Sequence, residues 1–133
     1  MKNRLIWFSL SCVSLFIGML LYGFCRTDTY IGNVVGHFLD TRILTTNPLY
    51  GFLAWYFPDY LWMFSLNCAL FGILLPRGKN VITWCAVALS WGILWEIAQW
   101  LDVVSGTGDL WDIFMYLTAV FSAGAINILK RGN

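Results

Sequence analysis

The stretch WEIAQWLDVVSGTGDLWD, Trp95 to Asp112, decides how the chain is read. Four of the seven acidic residues lie in it, Glu96, Asp102, Asp109 and Asp112, and almost everything on either side is apolar. The runs flanking it, Val81 to about Val103 and about Leu110 to Leu129, are each long enough for a membrane helix, which needs about 20 mostly apolar residues. Between them Ser105-Gly106-Thr107-Gly108 makes a tight reversal. The pattern is two membrane helices joined by a short loop, with carboxylates gathered at the joint.

Composition agrees with a bilayer setting. The chain has 133 residues, 59% of them hydrophobic and 11% charged, where soluble domains carry about 25% charged residues. A net charge of +1 leaves no basic face to neutralise phosphates, which excludes a nucleic-acid partner. The four cysteines, Cys12, Cys25, Cys68 and Cys85, form no C-x-x-C pair and have no His at metal spacing. In apolar surroundings they behave as small hydrophobes. No P-loop or dinucleotide fingerprint occurs, and the only His is remote from every Ser or Cys that a hydrolytic triad would need.

Four spans are expected in one transmembrane domain covering 1–133, an all-α four-helix bundle. They run over about 5–25, 58–75, 81–103 and 110–129, with an outer loop at 26–57. The first is too long for a signal-peptide core and no A-x-A site follows it, so it reads as a retained anchor. Lys2 and Arg4, Arg77 and Lys79, and Lys130 and Arg131 share one side of such a bundle. The positive-inside rule then places both termini in the cytoplasm. All seven carboxylates fall in or near the outer leaflet.

Within the outer loop, Ile31, Val34, Val35, Phe38, Leu39 and Ile43 follow helical spacing, with polar residues opposite, His37 among them. That pattern predicts an amphipathic helix lying in the interface. Asn47-Pro48 marks a turn, and the rings from Tyr50 to Phe57 suit the headgroup level.

Glu96 is the most informative single residue. A carboxylate near the middle of a span costs about 2.5–3.5 kcal/mol on insertion scales, and less near an interface. Gly92, Glu96 and Gln99 form one stripe that should face the bundle. On the fourth span Asp112, Tyr116, Ala119 and Ala123 share a face. On the second, Asp59 and Trp62 enter at the same depth with Ser65 below them. Asp59, Glu96, Gln99, Asp112 and Tyr116 can therefore converge in one outer pocket. Bland readings stand beside this one. Glu96 and Gln99 can simply bond helices together. Asp109 reads as a helix cap, with Thr107 in the loop before it. Asp102 reads as a solvated charge, and Asp59 serves equally well as the cap of the second span. Two acids can also hold a divalent cation or do acid–base work, but neither has a diagnostic spacing here.

At these residues the chain resembles the VanZ-like family of small bacterial membrane proteins. The likeness lies in an acid opening one span, an E-x-x-Q on the next, and an Asp on the last: Asp59, Glu96 with Gln99, and Asp112. It covers roughly the last 75 residues by motif placement along the spans. A nearer likeness is to short members with P-D-x-L-W-x-x-S, W-E-x-x-Q and G-T-x-D-x-x-D-x-x-x-Y. Here Pro58, Asp59, Leu61, Trp62 and Ser65 supply the first, Trp95, Glu96 and Gln99 the second, and Gly106, Thr107, Asp109, Asp112 and Tyr116 the third. The family often has a Lys and a His after the first acid and an Arg in the short loop. This chain has Tyr60 and Met63 at the former positions and no Arg near Gly106-Thr107.

The expected role is to bind a lipid or lipid-linked amphiphile, with a cationic or sugar-bearing headgroup, in an acidic and aromatic outer pocket of Asp59, Trp62, Glu96, Gln99, Asp112 and Tyr116. The resemblance implies a multi-pass protein of the bacterial cytoplasmic membrane, related to the envelope or to antibiotic resistance. A membrane-embedded hydrolase or transferase and an assembly subunit, partnered by another membrane protein or by further copies, are the alternatives. No metal or cofactor is called for.

Overall fold

The computed structural model describes residues 2–25 and 48–132. They form four helices: α1 (Lys2–Cys25), α2 (Pro48–Leu74), α3 (Lys79–Trp100) and α4 (Leu110–Gly132). No strand occurs among the described residues. Each helix contains a stretch long and apolar enough to cross a bilayer. The chain is a multi-pass, all-α membrane protein. The interfacial helix expected within 26–47 lies outside the described residues.

Helix α2 begins at Pro48, well before the Pro58 expected as the start of the second span. Residues 48–57, read from sequence as the end of a loop, are therefore helical. Pro48 is at the first helical position, where its missing N–H would be unbonded anyway and its fixed φ already suits the helix. Pro58 lies inside the helix and is fully buried. Proline is tolerated in membrane helices because neighbouring groups compensate for the lost backbone bond.

At its other end α3 stops at Trp100 rather than Val103. Asp102 takes φ 54°, and its N–H donates to Gln99 O (3.0 Å) while that of Val103 donates to Ala98 O (2.9 Å). This pair of bonds is a Schellman ending, with Asp102 in the left-handed position usually held by glycine. Aspartate is one of the few residues that visit that region routinely. Helix α4 opens on Asp109, whose Oδ1 accepts from the Trp111 N–H at 3.0 Å.

Helix α1 packs along α2, and α4 packs against both α2 and α3. Small residues set the spacing. A Cβ on Gly18 would come within 2.8 Å of the Trp62 ring, and one on Gly72 within 3.1 Å of Phe8. Between them Ser65 Oγ lies 3.0 Å from Ser11 Oγ and donates to Ser11 O at 2.9 Å. Such contacts hold membrane helices together where lipid provides no hydrophobic drive. The shared core is Trp7, Met63, Phe64, Cys68, Phe71, Val81, Cys85, Ala88, Tyr116, Ala119 and Ala123. At one end of the bundle the Lys130 ammonium lies 5.2 Å from the centre of the Trp7 ring. Every Lys and Arg among the described residues falls at that end, in the first turn of α1, the α2–α3 turn or the last turns of α4. The α3–α4 loop and its acids cap the opposite end.

Candidate functional site

The site grows from Glu96, one turn from the end of α3. Its side chain is 1% exposed. A carboxylate so deep in an apolar bundle persists only if its lone pairs are occupied. The Tyr116 hydroxyl of α4 donates to Oε1 at 2.8 Å. The backbone N–H of Asp109 donates to Oε2 at 3.0 Å. With the Gln99 amide turned so that both ends meet complementary groups, its nitrogen donates to the same Oε2 (3.3 Å) and its oxygen accepts from the Trp95 indole N–H (3.2 Å). One carboxylate thus ties α3, the α3–α4 loop and α4 together.

The loop is shaped to let these bonds form. Gly106 takes φ 139°, outside the comfortable range of L side chains, and the Gln99 side chain lies directly against it. The Trp100 ring lies as closely over Gly108. Gly92, one turn inward of Glu96, meets both Met63 and the Tyr116 ring: a Cβ there would fall 2.6 Å from Met63 Cε and 2.8 Å from Tyr116 Cδ2. The stripe of Gly92, Glu96 and Gln99 therefore faces the bundle, as its spacing predicts.

Asp109 joins three elements. Beyond its N–H bond to Glu96 and its cap on α4, its Oδ2 accepts from the Tyr56 hydroxyl of α2 at 3.1 Å. Tyr56 belongs to a ring cluster with Phe52 and Trp111, the Phe52 and Trp111 centroids standing 5.4 Å apart at 90°. Sequence reasoning missed Phe52, Tyr56 and Met63 as site neighbours. The signal was the i, i+4 spacing of Phe52 and Tyr56, legible only once residues 48–57 are read as helix.

Asp112 is buried and Asp59 half-buried. Asp112 lies one turn before Tyr116 on the same side of α4, and Asp59 lies one turn before Met63, whose side chain meets Gly92 beside the Tyr116 ring. Glu96, Gln99 and Tyr116 are thus bonded neighbours, and Asp59 and Asp112 lie toward the same end of the bundle. Trp62 is not among them. It is turned toward α1, against Gly18 and with its ring 6.1 Å from that of Tyr22, while Met63 beside it in sequence meets α3. Ser65 likewise serves α1 through Ser11. Thr107 is exposed in the loop.

No group of three His, Cys, Asp or Glu side chains among the described residues is disposed to hold a metal ion. Glu96, with three donors on its two oxygens, works as a strut. Asp59, half-buried, and Asp112, buried, add two further carboxylates at this end of the bundle. No family model, curated protein or solved structure matches the chain.

Proposed function

We propose that the protein binds a lipid or lipid-linked amphiphile at the acidic end of the bundle. The observation that carries this reading is the collection of carboxylates at one end of an otherwise apolar bundle, with Glu96 bonded to Tyr116 and to the Asp109 N–H and Asp112 one turn from Tyr116 on α4. Ionisable residues in membrane spans are rare, costly and characteristically functional. Glu96 holds Tyr116 and the α3–α4 loop in place. Asp59 and Asp112 accept hydrogen bonds from a headgroup rich in donors, hydroxyls or an ammonium, and the rings of Phe52, Tyr56 and Trp111 lie alongside its glycerol or acyl region. Both termini face the cytoplasm, so this end lies in the outer leaflet of a bacterial cytoplasmic membrane, and the chain is of VanZ-like type.

The reading is tested by native mass spectrometry from nanodiscs containing phosphatidylethanolamine, a glycosyl diacylglycerol and phosphatidylglycerol. Retention of the amine- or sugar-bearing lipid over phosphatidylglycerol supports it when Asp59→Asn and Asp112→Asn each reduce that retention. Equal retention of all three lipids, or retention indifferent to both substitutions, overturns it.

A further inference from the structure

The end of the bundle opposite the carboxylates carries charge of the other sign. Arg4 of α1, Arg77 in the α2–α3 turn, Lys79 at the start of α3 and Lys130 near the end of α4 are all exposed there. Counting along each helix, Asp59 stands about 22 Å from Leu74, Glu96 about 25 Å from Lys79 and Asp112 about 27 Å from Lys130. Asp102 and Asp109 lie beyond the end of α3, farther still. Salt screens exposed charges over about 8 Å at physiological ionic strength. The described acids therefore do not neutralise these cations.

One aromatic residue links the elements that carry them. Trp7 of α1 is 4% exposed, and its ring stands edge-on to Phe71 of α2 with centroids 5.3 Å apart. The same core cluster takes in Val81, two residues past Lys79, and Leu75, which begins the turn that carries Arg77. Arg4 is one turn before Trp7 on α1. Lys130 closes the group from α4, its ammonium 5.2 Å from the centre of the Trp7 ring.

That seat distinguishes Lys130 from an ordinary lysine at a helix end, which extends loosely into the headgroups. The attraction of the ring holds the ammonium in one place. The ammonium has three N–H donors, and the ring face leaves part of them open to a ligand. The turn beside it has room as well: a Cβ on Gly78, between Arg77 and Lys79, would meet nothing within 4 Å.

A few cations at one end of a bundle fall short of the extended basic face that a nucleic acid needs, but they suffice for a single phosphate diester. In a chain embedded in lipid, the anion that meets this level is a phospholipid headgroup. We propose that the basic end is a docking surface for an anionic phospholipid of the leaflet it adjoins. Lys130, held over Trp7, is its fixed donor, and Arg4, Arg77 and Lys79 supply the surrounding positive field. The surface is separate from the acidic end and does not rest on the function proposed for it.

The experiment is native mass spectrometry of the detergent-solubilised protein, titrated with phosphatidylglycerol and with phosphatidylcholine of the same acyl chains. Both lipids carry a phosphate, and only the first carries net charge. Phosphatidylglycerol should bind the more tightly, since each cation near the headgroup strengthens binding about fivefold. Lys130→Gln should weaken phosphatidylglycerol binding by about that factor and leave phosphatidylcholine unchanged, and Lys130→Arg, which keeps the charge, should restore it. The substituted side chains are exposed, so the variants keep the fold. Equal affinity for the two lipids overturns the proposal. So does a preference that survives Arg4→Gln, Arg77→Gln, Lys79→Gln and Lys130→Gln combined, or one that is lost in Asp59→Asn or Asp112→Asn at the acidic end. The four-cation variant is also the background on which the lipid preference of the acidic end is read, so either reading can fail while the other stands.

Discussion

The Tyr116 hydroxyl donates to Glu96 Oε1 at 2.8 Å across the α3–α4 interface, where the two side chains are 8% and 1% exposed. Each makes the other tolerable in an apolar interior. Removing one partner leaves the other's polar atom short of a bond, which costs more than the bond itself contributes. Tyr116→Phe should therefore destabilise by about 1–3 kcal/mol. Glu96→Gln should cost at least as much, because the new amide nitrogen would face a donor already aimed at that position. The two losses should not add: a double-mutant cycle by thermal unfolding in detergent should give a coupling of about 0.5–3 kcal/mol. Additive losses would mean that the bond does not hold the helices together.

Gly92 reports on the same contact from the other side. A methyl there would stand 2.6 Å from Met63 Cε and 2.8 Å from Tyr116 Cδ2. Met63 ends in a flexible thioether and can move, whereas Tyr116 is pinned through its hydroxyl to Glu96. Gly92→Ala should cost about 1–3 kcal/mol, the range for overpacking. Adding Met63→Ala should relieve part of that cost and Tyr116→Phe, which frees the ring, another part. A Gly92→Ala protein as stable as the parent would show that the helices are not held this closely.

These residues also mark how far the sequence could be read. Depth follows from counting residues along a span, so the level shared by Asp59, Glu96, Asp112 and Tyr116 is legible. The face each side chain presents within the bundle is not. Trp62 and Met63 enter at one depth, yet a single residue's rotation of about 100° sends one to α1 and the other to α3. Helix ends were obscured for a different reason. Pro58 invited a start at its own position, but a proline packed among helices does not end a membrane segment. The stop at Trp100 depends on backbone bonds of Asp102 and Val103, and neither residue type signals a C-terminus. The role of Tyr56 was hidden behind the same misplaced boundary.

The Schellman ending makes a prediction of its own. Asp102 holds φ 54°, a region that aspartate tolerates, glycine occupies freely and β-branched residues avoid. Asp102 is exposed, so its side chain adds little else. Asp102→Gly should leave stability unchanged or raise it, while Asp102→Val should lower it by about 1–2 kcal/mol. Because Gln99 and Glu96 lie just before this turn, Asp102→Val should also weaken their hold on the loop. Limited proteolysis between Leu101 and Gly108 reads that out. Equal cleavage of the valine variant and the parent would separate the turn from the Glu96 bonds.

Orientation is tested at Thr107, which is exposed in the α3–α4 loop. All described Lys and Arg residues lie at the other end of the bundle, and basic flanks are retained in the cytoplasm. With Cys12, Cys25, Cys68 and Cys85 replaced by alanine or serine, Thr107→Cys should react with an impermeant maleimide in intact cells. A cysteine at Asn80, in the first turn of α3 at the opposite end of the bundle, should react only after the cells are opened. Reversed labelling would put the carboxylates of Asp59, Glu96 and Asp112 in the cytoplasmic leaflet. It would also remove the outer-leaflet headgroup from consideration as ligand, while leaving the Glu96–Tyr116 bond and the packing around Gly92 as they are.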